Sequence, residues 1–183
     1  INHGLDTSNI NDLNTSRMGY SAKSFGFGER YFQDMNIEVT KKFNKKWKGI
    51  FTYVNLAYNK DILEGKSGFG IVNSHIAIAD ITYKIKPKHS IRTEFQLLNT
   101  KQDQGDWATL IVEYNLAPHW FFAVMDQYNY GNTVSKKQVH YYLTSAGYTT
   151  EGHRVSLSYG RQRAGIFCVG GVCRNVPAAN GIT

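Results

Sequence analysis

Residues 91–98 read IRTEFQLL. In an extended chain, successive side chains point to opposite faces. Ile91, Thr93, Phe95 and Leu97 then share one face, and Arg92, Glu94 and Gln96 the other. The same beat recurs along the chain from about Tyr31. In 34–43, DMNIEVTKKF, it groups Met35, Ile37, Val39 and Phe43 against Asp34, Asn36, Glu38 and Thr40. In 108–116, ATLIVEYNL, it groups Ala108, Leu110, Val112, Tyr114 and Leu116 against Thr109, Glu113 and Asn115. In 153–160, HRVSLSYG, it groups Val155, Leu157 and Tyr159 against Arg154, Ser156 and Ser158. No stretch of similar length carries the 3.6-residue period of a helix, so the chain reads as all-β.

The connections between these stretches alternate in length. Residues 43–49, 86–90, 116–120 and 149–153 are short, whereas 59–74, 99–106, 129–137 and 164–181 are long. Short turns at one end and long loops at the other predict an up-and-down antiparallel meander. With strands near the ~9–11 residues that cross a bilayer when tilted, the pattern is that of a transmembrane β-barrel. Aromatic residues gather at the strand ends. Phe43, Trp47, Tyr83, Trp120 and Tyr148 sit beside the short turns, and Tyr58, Trp107, Tyr128, Tyr130 and Tyr159 beside the long loops. Rings that are half apolar and half wet suit the two membrane–water interfaces.

Composition agrees. The 183 residues include 12 Tyr, 10 Phe and 17 Gly but only 3 Pro, a balance that favours strands over helices. No run of 18 apolar residues provides a membrane helix. The polar start, INHGLDTSNINDLNTSR, lacks the charged and apolar regions of a signal peptide, which fits either a cytoplasmic protein or a chain whose start has been removed. The net charge of +7 is spread in ones and twos without a run of five basic residues, so nucleic acid is not an expected partner.

Alternation alone does not say which face points inward; a soluble barrel would turn its apolar face in. Strand length and loop asymmetry favour the membrane arrangement. So do the mixed charges of the polar face, Asp34, Glu38, Asp80, Glu94, Glu113 and Asp126 against Lys42, Lys84, Arg92, His140 and Arg154. A narrow lumen needs such compensation, because an unpaired charge in a confined space is costly. Arg92, Glu94, Glu113 and Asp126 are therefore expected to form a lumenal charge network.

Signatures of catalysis are missing. There is no GxSxG, no HExxH, and neither GFGER (26–30) nor GFG (68–70) makes a GxGxxG or a P-loop. His89, His119 and His153 fall in separate turns and read as solvated. Glu94 with Glu113 or Asp126 has the composition of an acid/base pair, but a lumenal network explains these carboxylates equally. No enzyme activity, metal site or cofactor is expected.

The last stretch, Tyr159-Gly160 through Thr183, contains Gly-Arg-Gln-Arg (160–163), Cys-Val-Gly-Gly-Val-Cys (168–173) and Pro-Ala-Ala-Asn-Gly (177–181). It resembles the end of a family of Bacteroidota-type outer-membrane β-barrel proteins with no settled function. Residues 22–60 are more loosely similar to a loop–strand–turn–strand further up in such proteins. The resemblance implies a barrel in the outer membrane of a Gram-negative bacterium, with outer-membrane lipid and other outer-membrane proteins as partners. It implies no substrate. Members look longer and continue past the Asn-Gly turn into a final strand.

Cys168 and Cys173 are the only cysteines and fall in a long, outer loop. Gly170-Gly171 between two valines is a hairpin signal that sets the flanking positions opposite each other. In an oxidising compartment such a pair forms a disulfide. Arg161, Arg163 and Arg174 flank the loop, where they can meet lipopolysaccharide phosphates or remain solvated.

These readings predict an outer loop over 1–30 and the C-terminal strands of a larger outer-membrane barrel over 31–183. Strands are expected near 31–44, 46–59, 75–86, 90–100, 107–117, 119–129, 138–149 and 153–163. Ile37, Val39, Val54, Ile81, Phe95, Leu97, Leu110, Val112, Leu143 and Leu157 should face outward. The expected function is porin-like or transport-related with an unknown substrate. The alternative is a structural or interaction subunit of an outer-membrane assembly, secretion or uptake complex, with a closed lumen.

Overall fold

The computed structural model describes residues 4–5, 29–30, 32–64, 68–102, 104–169 and 172–182. Nine antiparallel strands form one sheet. They are β3 (Phe32–Lys42), β4 (Trp47–Asn59), β5 (Ile71–Lys86), β6 (His89–Asn99), β7 (Trp107–Leu116), β8 (Trp120–Tyr128), β9 (His140–Thr150), β10 (His153–Gln162) and β13 (Ala179–Ile182). Each of β3 to β10 pairs with its sequence neighbour, and β13 pairs with β10. Two small ladders lie outside this sheet: β1 (Gly4–Leu5) with β2 (Glu29–Arg30), and β11 (Gly165–Val169) with β12 (Val172–Val176). Apart from β1 and β2, the expected outer loop over 1–30 lies outside the described residues.

All eight expected strands are present, most with ends within a residue or two. The main departure is β5, which starts at Ile71 rather than 75. The expected 59–74 loop is shortened accordingly and opens with a single helical turn, α1 (Lys60–Glu64). The Asn59 Oδ1 caps this turn, accepting from the Asp61 and Ile62 amides at 3.1 and 3.3 Å. No helix among the described residues is long and apolar enough to cross a membrane. The short turns have local causes. Between β3 and β4, the Asn44 side-chain oxygen accepts from the amides of Lys46 (2.8 Å) and Trp47 (3.0 Å), an Asx turn.

The sheet is curved and open. Among the described residues β3 pairs only with β4, and β13 only with β10, so β3 and β10 do not close on each other. The concave face holds the apolar cluster Ile111, Phe121, Ala123, Met125 and Leu143, with Val176 packed against it. Leu143 is thus turned away from the expected outward side, and Val54, opposite Asn36 and Ile76, shares the concave face. In both places the strand is apolar or small on both faces, and the period loses its contrast. The other eight expected outward residues lie on the convex face.

That convex face is mostly apolar and exposed on central strands as well as edges. Leu110, Phe122, Val124 and Tyr142 are 45%, 45%, 55% and 55% exposed. Toward the short turns, rings line up across the strands. Trp47 stacks on Tyr83 at 4.4 Å, Tyr114 on Phe122 at 6.4 Å, and Trp120 meets Tyr148 edge-on at 4.8 Å.

Candidate functional site

The concave face of β5, β6 and β7 carries the charges. Register sets Asp80 opposite Glu94, and Arg92 opposite both Thr82 and Glu113. Cross-strand neighbours come within side-chain reach. Arg92 donates from Nε to Asp80 Oδ2 at 2.7 Å and from Nη2 to Glu94 Oε2. Gln96 donates to the other Glu94 oxygen, and Asn115 to Glu113 Oε1 at 2.8 Å. One guanidinium therefore bridges carboxylates from two strands, and amides occupy remaining acceptor sites. Asp80 and Glu94 keep only 17% and 12% of their side chains exposed. Glu113 is buried at 3%.

This network opens into a cavity of about 640 Å³ on the concave face, toward the long loops. Arg92, Glu94, Gln96, Trp107, Thr109 and Arg163 contribute to its wall. Beside the charges on the same face, the Ile111–Phe121–Leu143 cluster packs apolar side chains into the concavity, and its Ile111 and Met125 also line the cavity. Arg154 lays its guanidinium over the Phe121 ring at 4.1 Å. Ser145 and Ser158 share a buried hydrogen bond of 2.9 Å beside the cluster.

Three of the four expected network residues are brought together, and Asp126 is not. It stands opposite Leu110 and Tyr142 on the convex face. There it bonds His140 Nδ1 at 2.8 Å, and Tyr128 stacks on the His140 ring at 4.1 Å. The reason lies in β8, WFFAVMDQY, which is apolar on both faces until its end, so the period does not assign its one charge. Asp80 takes the place expected for Asp126. Its charge was legible, but its pairing with Arg92 depends on register.

Arg161 lies over the Tyr141 ring at 4.8 Å and Arg163 over the Trp107 ring at 4.4 Å. These are cation–π contacts at the long-loop end. Arg174's side chain lies outside the described residues. Cys168 and Cys173 stand directly opposite each other in the β11–β12 ladder; their side chains too lie outside the described residues. Two expected solvated histidines have protein partners: His89 bonds the Tyr114 hydroxyl at 2.6 Å and His119 the Thr149 carbonyl at 2.8 Å. No group of three potential metal ligands occurs among the described residues.

At the long-loop end, Asp61 accepts from the amides of Phe69 (2.9 Å) and Gly70 (3.0 Å). These bonds hold its carboxyl below its ordinary value of 3.8. Gly105 and Gly131 bring two loops backbone to backbone. A Cβ on Gly105 would come within 2.1 Å of the Gly131 carbonyl oxygen, so neither loop tolerates a side chain there.

No curated protein and no solved structure matches the chain. The whole of it, residues 1–183, matches a family model described as "Family of unknown function (DUF6029)". The chain belongs to the DUF6029 family of unknown function.

Proposed function

We propose that these strands form part of an outer-membrane β-barrel whose polar lumen passes small hydrophilic solutes. The observation that carries this reading is the convex apolar face, with Val112, Phe122 and Val124 exposed in the middle of the sheet. A soluble protein rarely leaves so broad an apolar surface uncovered, and a bilayer covers it. The concave face supports the same reading, since Glu94 and Glu113 point away from the lipid side, where a charge is costly. Rings near the short turns supply one interfacial belt. Outer-membrane lipid is then the immediate partner, and the long loops face outward.

The test is to fractionate the cells and reconstitute the full protein in planar bilayers. Recovery with the outer membrane and stepwise conductance are expected. Recovery in the soluble fraction would overturn the reading. A second reading, a structural or interaction subunit with a closed lumen, is favoured by the Ile111, Phe121, Met125, Leu143 and Val176 cluster on the concave face. It predicts membrane recovery without conductance and stoichiometric co-purifying partners.

A further inference from the structure

The lysines of 41–48 and 84–88 read in sequence as scattered, solvated charges. The fold assembles them. The Lys84 amide bonds the Lys46 carbonyl at 2.8 Å, which ties the β3–β4 turn to the end of β5. Lys41, Lys42, Lys45, Lys46, Lys48, Lys84, Lys86 and Lys88 then share one end of the sheet, and all are exposed. These eight charges exceed the net +7 of the whole chain, and neither segment contains a carboxylate. None of the eight has an ion pair among the described residues.

Register says where they face. Lys42 stands opposite Lys48, Lys48 opposite Thr82, and Thr82 opposite Arg92. Lys42 and Lys48 therefore belong to the same concave row as the Arg92 network. Lys84, two residues beyond Thr82, is on that face as well. Like charges set directly opposite each other repel. A protein that only needed soluble turns gains nothing by aiming them at a concavity. Asp80, two residues further in than Thr82 on that face, is already held by Arg92.

We infer that the short-turn mouth of the concave face is an anion-gathering rim, and that the solutes admitted are small anions bearing phosphate, sulfonate or carboxylate groups. This rests on the concave face being a lumen. Charged rings at a pore mouth set ion selectivity, and a confined patch of one sign raises the local concentration of its counter-ion. Lysine ammoniums, exposed and without a carboxylate partner among the described residues, suit passing anions better than a fixed bidentate clamp would.

The test measures the reversal potential of the full protein in planar bilayers under a potassium chloride gradient. Wild type should prefer chloride, and the preference should fall several-fold or invert in Lys42→Glu/Lys48→Glu/Lys84→Glu. Lys136→Glu/Lys137→Glu, at the opposite end, should leave it unchanged. A conducting protein without anion preference, or a preference indifferent to the three lysines, overturns the inference. Should the triple variant fail to insert, Lys45→Gln/Lys46→Gln in the turn gives the same readout, with a weakened preference expected and an unchanged one fatal.

A protein that inserts but does not conduct defeats the pore reading instead. The rim is then tested by binding of the trisulfonate dye pyranine to detergent-solubilised protein. Saturable binding lost in the lysine variant supports it, and no binding overturns it. A lysine variant that changes association with phosphatidylglycerol vesicles while leaving anion preference intact would show a lipid contact and likewise overturn it.

Discussion

Phe121 occupies the space that Gly147 leaves empty on the neighbouring strand. A Cβ on Gly147 would lie 2.2 Å from the Phe121 ring, closer than any real contact. The two stand opposite each other in register, and the Arg154 guanidinium lies over the ring. Gly147→Ala should therefore destabilise the protein by about 1–3 kcal/mol, the usual cost of overpacking. Denaturant unfolding of the detergent-solubilised protein measures it. Adding Phe121→Leu should return part of the loss, and a purely additive double variant would refute the contact.

Arg92→Leu removes the cation bonded to Asp80 and Glu94. Arg92 is 30% exposed, so solvent screens part of the loss. A destabilisation of about 1–3 kcal/mol is expected, below the cost of breaking a fully buried pair. Membrane insertion should survive, because the convex face is untouched. Unfolding midpoints and single-channel conductance check this, and no change in either would make the network incidental.

Asp61 gives a pH dependence with a definite sign. Its folded pKa is held below the ordinary 3.8 by the Phe69 and Gly70 amides. The contribution to loop order is therefore complete above about pH 4 and lost as pH falls through the depressed value. Hydrogen exchange of the Phe69 and Gly70 amides should accelerate only in that acid range. Asp61→Asn should exchange faster at neutral pH and show no such transition.

How much of this was legible follows from contrast between faces. In β6 and β10, polar and apolar residues alternate cleanly, and both strands and their faces were readable to within a residue or two. In β8 and around Leu143 both faces carry apolar or small residues, so Asp126 and Leu143 were placed on the wrong side. The start of β5 at Ile71 was hidden because its first residues continue a loop-like, Gly-rich stretch. Register was legible only in the Gly170-Gly171 hairpin, whose flanking cysteines do stand opposite each other; across the main sheet it depends on turn geometry summed over several hairpins. For that reason neither the Asp80–Arg92 pair nor the meeting of Lys46 with Lys84 could be read before the strands were aligned.

Cys168 and Cys173 are expected to be disulfide-bonded in protein isolated from its native source without reductant. In a hairpin with two residues between its innermost pair, the next pair is the closer, non-hydrogen-bonded kind, which suits a cross-strand bridge. Mass spectrometry of non-reduced peptides checks the bond, and free thiols on both residues would refute it. Cys168→Ser should loosen the hairpin and leave the unfolding midpoint of the main sheet unchanged, because the loop it closes is short.

The β11–β12 hairpin leaves the sheet after Gln162 and the chain returns at Ala179, directly opposite Gln162 on the partner strand. The excursion begins and ends at one rung of an existing ladder. Its length is consequently a free parameter: residues added between Val169 and Val172 extend an appendage without displacing any strand. An epitope inserted there would report, under the proposed barrel reading, which side of the membrane that end of the sheet occupies.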